Sequence, residues 1–331
     1  LSVLARYRSL TESGVLGLNK RNGDYLMRFN PRRLYPLVDD KLKTKQLAIK
    51  AGIAVPALYG VIETQHDIRR LGEMVAGHRE FVLKPAHGSS GDGIIVVSGR
   101  SGSLYRTING TLLDAEFLEH HLSNAISGQF SLGGIQDTVI VEAMVHFSPH
   151  FESLSFQGVP DVRVIVFRGI PVMAMVRLPT RLSHGKANLH QGAVGAGVDI
   201  ANGATLGGVM SGAVIDTHPD TGVVIAGLTI PEWDTMLDIS ARCFELTGMG
   251  YIGVDIVLDR DLGPLVLELN ARPGLAIQIA NQQGLLRRLE ICEETADFAA
   301  APAERIAFAK KHFAHPVGPV LHPGDVAAQI S

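Results

Sequence analysis

Residues 250–274 read GYIGVDIVLDRDLGPLVLELNARPG, and this stretch decides the fold. Two apolar runs, 251–258 and 265–270, flank a segment of Asp, Gly and Pro at 259–264, the pattern of an antiparallel hairpin. Asp255 interrupts the first run; Glu268 and Asn270 interrupt the second. Strand side chains alternate faces, so Glu268 and Asn270 point the same way. A hairpin symmetric about 261–262 sets Asp255 directly opposite Glu268, on that same face. Like charges opposed across a sheet cost roughly 0.2–1 kcal/mol even when exposed. Strands this apolar are at least half buried, which raises the cost, and a cation would reverse the sign. Two carboxylates and an amide are hard oxygen ligands, suited to Mg²⁺ or Mn²⁺ rather than Zn²⁺. The alternative is an edge hairpin whose carboxylates face solvent.

The whole chain sets the class. At 331 residues, 46% of them hydrophobic, it exceeds what one core fills, so two lobes are expected. A net charge of −3 argues against general nucleic-acid binding. Cys243 and Cys292 form no CxxC and read as free thiols, as in a reducing compartment. No apolar run reaches membrane-spanning length, and LSVLARYRSL carries charge too early for a signal peptide, so a cytoplasmic location is expected.

Outward from the hairpin, residues 1–39 combine a short helical pattern (2–12) with the basic residues Arg6, Arg8, Lys20, Arg21, Arg28, Arg32 and Arg33. These meet an acidic substrate or form a solvated face with local ion pairs. Asp40 can cap a helix over 41–51 with Leu42, Lys45/Gln46 and Ile49 along its stripe and Gly52 as its stop. An extended segment at 57–62 and a helix over 66–76 follow. EFVLK (80–84) and IIVV (94–97) read as strands joined by PAHGSSGDG. Gly88, Ser89, Ser90, Gly91 and Gly93 allow the close backbone approach of a phosphate-cradling loop, although no Walker A pattern is present. Lys84, closing an apolar strand, either snorkels or aims at a ligand.

A helix over 111–127, a strand over 138–145 containing Glu142 and an excursion loop over 146–158 come next. DVRVIVFRGIPVMAMVR makes a second hairpin within 160–180, with its turn near 169–171. Asp161 and Arg163 share a face, and a three-residue turn brings Arg177 opposite Arg163. Two arginines in apolar strands need an anion, for which a phosphoryl group is natural; otherwise they pair with Asp161, which could hold only one well. Residues 183–215 read as ordered loops and short strands, with Asn188 and His190 at a polar tip. His190 reads as a packing or hydrogen-bonding histidine. Helices are expected over 231–247, with Trp233, Leu237 and Ala241 inward, over 276–289 and over 303–313, before a surface tail from residue 315.

In this order, DDKLKTKQLAIKAGIAVP, FVLKPAHGSSGDG, VIVEAMV, DVRVIVFRGIPVMAMVR, NLHQGA and GVDIVLD…LVLELNARPG resemble the ATP-grasp carboxylate–amine ligases. Within that superfamily the likeness is to the ribosomal-protein glutamate ligases and their alpha-L-glutamate-ligase-related branch, over about residues 15–290. The resemblance implies an α+β fold of two lobes whose antiparallel sheets clamp ATP. The expected units are a reduced N-terminal segment (1–39), an ATP-grasp N-lobe with the glycine-rich lid (40–140), a C-lobe with the metal hairpin (141–290) and a C-terminal helix and tail (291–331).

The same resemblance assigns roles. Lys41 and Lys84 match the nucleotide-binding lysines, and Gly88, Ser89, Ser90, Gly91 and Gly93 the lid over the phosphates. Glu142, Ala143, Met144 and Val145 match the segment at the adenine edge, and Asp161 the acidic group near the ribose or the arginines. Arg163 and Arg177 match the arginines on the γ-phosphate and acyl phosphate, and Asn188 the asparagine beside the transferred phosphate. Asp255, Glu268 and Asn270 match the ligands of two Mg²⁺ ions. Three departures stand out: the shortened N-terminal region, a longer loop between Glu142 and Asp161, and Arg272 where those ligases have a small residue. Arg272, with His190, is therefore a candidate for the substrate carboxylate.

The implied activity is ATP-dependent amide formation through an acyl phosphate, joining an amino acid such as glutamate to a carboxylate on a peptide or small molecule. A hydroxyl-directed phosphotransferase and a non-catalytic nucleotide-binding regulator are the alternatives.

Overall fold

The computed structural model describes residues 13–88, 91–131 and 133–315, so Ser89, Ser90, the 2–12 helical pattern and the tail beyond 315 lie outside the described residues. Among the described residues, the alternating apolar runs form two antiparallel sheets. The smaller contains β1 (Leu58–Ile62), β2 (Phe81–Pro85), β3 (Ile95–Ser101), β4 (Leu104–Thr107), β5 (Leu112–Leu113) and β6 (Val139–Glu142), in the order β1-β6-β2-β3-β4-β5. The larger contains β7 (Asp161–Phe167), β8 (Ile170–Leu178), β9 (Val194–Val198), β10 (Thr205–Met210), β11 (Ala213–Ile215), β12 (Tyr251–Asp259) and β13 (Gly263–Asn270). Its order is β11-β10-β9-β8-β7-β12-β13. Each sheet has its own core, one around Phe81, Leu83, Leu118 and Val141, the other around Val164, Phe167, Leu237 and Ile256. The fold is α+β, with two lobes.

Register differs from simple turn symmetry in both long hairpins. In β12–β13, Asp259 pairs with Gly263 and Ile256 with Val266; a bulge at Leu267 then moves the register by one, so Asp255 pairs with Glu268. Without the bulge, Glu268 would lie on the opposite face, because one residue of slip exchanges faces. In β7–β8 the turn is two residues, Arg168 and Gly169, both with positive φ, and Phe167 pairs with Ile170. A bulge between Val166 and Ile165 follows, and Arg177 pairs with Asp161, not with Arg163 as turn counting suggests.

The helices hold surprises of the same kind. Asp40 caps Lys41–Lys50 through the amides of Leu42 and Lys43. Of the expected stripe Lys45 is buried, but its buried neighbours are Thr44 and Ala48, and Ile49 is 52% exposed. Docking at the helix start explains the rotation: Lys41 N donates to Ala86 O at 3.1 Å, turning Lys41, Lys45 and Ala48 inward on one face. Ala48 joins the larger core, so this helix, expected to open the 40–140 unit, packs with the other sheet. The helix expected over 66–76 breaks into Gln65–Arg69 and Leu71–Met74. That expected over 276–289 becomes Ile277–Asn281 and Leu286–Thr295, interrupted where Gln282 turns left-handed. At Gly284 a Cβ would lie 2.0 Å from Gly14 O, so the chain must leave helix there to admit the N-terminal segment. Within the 146–158 excursion, Pro149–Leu154 forms a 3₁₀ turn that buries Phe151 and Leu154.

Trp233–Thr247 buries Trp233, Leu237 and Ala241, and both cysteines are buried free thiols. Among the described residues no helix is long and apolar enough to cross a membrane.

Candidate active site

Cross-strand pairing builds the site. Met175 of β8 pairs with Arg163 of β7, Arg163 with Asp255 of β12, and Asp255 with Glu268 of β13. Directly paired residues share a face, so these four form one row over four strands. Asp161 and Arg177, paired with each other, form the next.

Contacts within the two rows are short. Arg163 Nε donates to Asp255 Oδ1 at 2.7 Å and its Nη2 to Oδ2 at 2.5 Å. Arg177 Nη2 donates to the same Oδ2 at 2.7 Å, while its Nε and Nη2 grip Asp161 at 2.5 Å each. Burial disfavours the Asp255 anion, but the Arg163 and Arg177 charges outweigh it and hold its pKa below the usual carboxylate range. Burial raises the Asp161 pKa to about 6 against the pull of Arg177, with the Asp255 charge adding to the rise. The expectation that the arginines need an external anion is thus revised. Asp161 and Asp255 together serve both, through a strand pairing that the hairpins do not reveal singly.

Glu268 and Asn270 complete the face. Asn270 Nδ2 lies 3.2 Å from Asp255 Oδ2 and 3.5 Å from Glu268 Oε1, and Lys41 Nζ lies 3.8 Å from Glu268 Oε2. Among the described residues no group of three or more His, Cys, Asp or Glu side chains is placed to hold a metal. The candidate set is instead two carboxylates joined through the Asn270 amide, and the carboxylate oxygens with the amide oxygen are the donor types that fit a hard divalent cation. The like-charge repulsion between Asp255 and Glu268 is already relieved within the protein, by Arg163 on one side and Lys41 on the other.

A second cluster lies beneath the smaller sheet. Glu142 is 3% exposed and forms ion pairs with Lys84 Nζ at 2.5 Å and Lys45 Nζ at 2.8 Å, while Lys45 Nζ donates its hydrogen bond to Pro56 O. Burial lowers the Lys45 pKa, with the Glu142 charge opposing. The sequence places Lys45 on the helix stripe without a role at the site; its i,i+4 spacing from Lys41 is the signal for one.

Between the sheets runs a cleft of ≈ 550 Å³. Ten candidate residues line it: Lys41, Lys84, Gly88, Gly91, Asp161, Arg163, Arg177, Asn188, His190 and Glu268. Asp255 and Asn270 stand behind that wall, and Glu142 behind Lys84. Asn188 Oδ1 accepts from His190 N at 3.0 Å, capping the short turn that carries both. Lys186, which the sequence reading passed over, also lines the cleft and reaches Asp92 across it at 3.6 Å.

Others fall elsewhere. Gly93 packs against Phe130 and Pro85. The strand ends at Glu142; Ala143 N bonds Ala57 O, and Met144 lines a separate small pocket with Tyr59 and His146. Ala143, Met144 and Val145 are absent from the cleft wall, as is Arg272, which is exposed and stacks its guanidinium 4.4 Å over the Tyr35 ring. That stacking explains why Arg272 does not turn inward.

Among the described residues the cleft wall carries five Lys and Arg side chains against three carboxylates, Asp92, Asp161 and Glu268, a surplus that fits a polyanion. Two antiparallel sheets closing on such a cleft define the ATP-grasp class. The family model for sugar-transfer associated ATP-grasp proteins matches residues 20–294, and the chain belongs to that family. A probable alpha-L-glutamate ligase of Ectopseudomonas mendocina is 23% identical over 258 residues, 76% of this chain and 64% of that protein. A ribosomal protein bS6–L-glutamate ligase of Salmonella paratyphi B is 25% identical over 241 residues, 71% of this chain and 56% of that one. The chain therefore spans 56–64% of the length of these curated relatives. Among solved structures, D-cycloserine synthetase DcsG superposes with a TM-score of 0.46 at 17% identity, covering 81% of this chain and 73% of its own.

Proposed function

We propose that the chain is an ATP-dependent carboxylate–amine ligase, joining an amino acid such as glutamate to a carboxylate on a peptide or small molecule. The observation that carries this reading is the single sheet face on which Arg163, Asp255, Glu268 and the Asp161–Arg177 pair stand in contact, opposite Lys41 and Lys84. Lys41, Lys84 and the backbone of the 88–93 loop hold the nucleotide phosphates. Arg163 and Arg177 steady the transferred phosphoryl group, and Asn188 orients it. Asp255, Glu268 and Asn270 hold one or two Mg²⁺ ions, which when bound supply neutralisation of phosphoryl charge.

The chemistry asks for positioning more than for covalent help. A substrate carboxylate oxygen takes the γ-phosphoryl group, releasing ADP. An amine then attacks the acyl carbon, phosphate leaves with the C–O electron pair, and the amine loses its proton. With Arg272 stacked on Tyr35, the candidates for the substrate carboxylate are His190, at the cleft, and the N-terminal arginines Arg28, Arg32 and Arg33.

The test is an ADP-release screen over amino acids and acidic peptides, with product masses. ADP release that requires both a carboxylate and an amine, and a product heavier by the amine minus water, is expected. Release onto a hydroxyl acceptor without an amine would replace this reading with phosphotransfer, and no release with any acceptor would leave a nucleotide-binding regulator.

A further inference from the structure

We infer that Arg163, Arg177 and Lys41 compete with the divalent cation for its own carboxylates, so that the cation binds weakly until a polyphosphate draws those side chains away. The inference rests on the metal site of the ligase reading.

Each carboxylate proposed for the ion is already neutralised by a side chain proposed for phosphate. Both oxygens of Asp255 are taken by the Arg163 fork, and one is shared with Arg177. Glu268 faces Lys41, whose ammonium also donates to Gly88 O at 2.5 Å. The Arg163 fork takes one lone pair on each Asp255 oxygen and Arg177 a second on Oδ2, so a metal that reaches Asp255 without displacing them finds only the remaining position on Oδ1, beside two guanidinium charges that repel it. On this face, Arg163, Arg177 and Lys41 balance Asp161, Asp255 and Glu268 one for one.

A divalent ion entering alone must pull Asp255 away from the guanidinium groups of Arg163 and Arg177, the second of which would keep Asp161 as its remaining partner. A polyphosphate entering alone takes those groups and leaves Asp161 and Asp255 facing each other unpaired. Either change strands buried charge, which is costly. Entering together, phosphate accepts the arginines and Lys41 while the ion accepts the carboxylates, and every charge keeps a partner. The two ligands are therefore positively coupled, and the coupling is reciprocal.

Mn²⁺ binding to the full chain without nucleotide, followed by the electron paramagnetic resonance of free Mn²⁺, tests this. Arg163→Gln, although it deletes a side chain from the site, is expected to tighten Mn²⁺ by about tenfold or more. Adding Asp255→Asn should abolish the gain. Unchanged or weaker binding by folded Arg163→Gln overturns the inference. If wild type still gains a Glu268-dependent Mn²⁺ site with a non-hydrolysable ATP analogue, the ligase reading survives that failure. A gain that persists in the double variant puts the ion elsewhere and overturns both. Should Arg163→Gln fail to melt cooperatively, Lys41→Gln, at the start of its helix, decides the matter. It should tighten Mn²⁺ in a Glu268-dependent way, and no tightening counts against the inference equally.

Discussion

The arginine–aspartate cluster of the larger sheet and the lysine–glutamate cluster of the smaller one both bury ion pairs at the same cleft, yet only the first is balanced. Arg163 and Arg177 meet Asp161 and Asp255, two cations to two anions, each arginine through a pair of hydrogen bonds to one carboxylate. Lys45 and Lys84 share Glu142, two cations to one anion. A balanced cluster fixes strands in register and opens only by exchange. The unbalanced cluster leaves a buried cation in excess, which a phosphate can satisfy without anything being displaced. On that view Lys84 is ready for nucleotide from the outset, whereas the arginines must first be released.

The contrast can be broken most directly at Asp255. Asp255→Ala leaves two buried guanidinium groups short of partners and should cost about 3–5 kcal/mol, measured by urea unfolding. A loss under about 1 kcal/mol would mean that the cluster does not hold the sheet. The smaller cluster should respond asymmetrically. Glu142→Gln strands two lysines and should cost about 2–4 kcal/mol, whereas Lys45→Met leaves the Lys84–Glu142 pair intact and should cost less than about 1.5 kcal/mol. Equal losses would erase the distinction between the clusters.

Asp161 supplies the smallest and sharpest test. Its pKa is raised to about 6, so between the ordinary carboxylate pKa and that value the native state binds the extra proton. Stability contributed by this group therefore falls as pH rises through the window. In urea midpoints taken at about pH 4.5 and about pH 6.5, Asp161→Asn should lose that falling component relative to wild type. An unchanged pH slope would mean that Asp161 titrates normally.

Much of this was legible in the sequence, and the failures share a cause. The apolar hairpins, the Asp40 cap and the Asp255–Glu268 pairing could be read from local pattern, although the last is reached through a bulge at Leu267 that no pattern announces. Arg177 was set opposite Arg163 because the length of a turn at Arg168-Gly169, and the bulge after it, are decided by packing rather than by spacing. That β12 lies beside β7 is a pairing across 92 residues, as between Arg163 and Asp255, and no local signal carries it. Arg272 looked available because its stacking partner, Tyr35, is remote in sequence.

Asn30 shows what such distances mean in time. Its side chain donates to Tyr251 O at 2.7 Å and to Ala271 O at 3.1 Å and accepts from Tyr251 N at 2.9 Å, tying together the open ends of the acidic hairpin. The first of those partners lies 221 residues further along the chain. At about 5–20 residues per second, a ribosome needs roughly 11–44 s to cover that interval. Tyr25 and Phe29, which pack into the larger core in the finished protein, wait first for Phe167 of β7, and Tyr25 until the end of the interval for Tyr251 of β12. This early-made part of the core is completed late, and chaperone demand during synthesis should concentrate there.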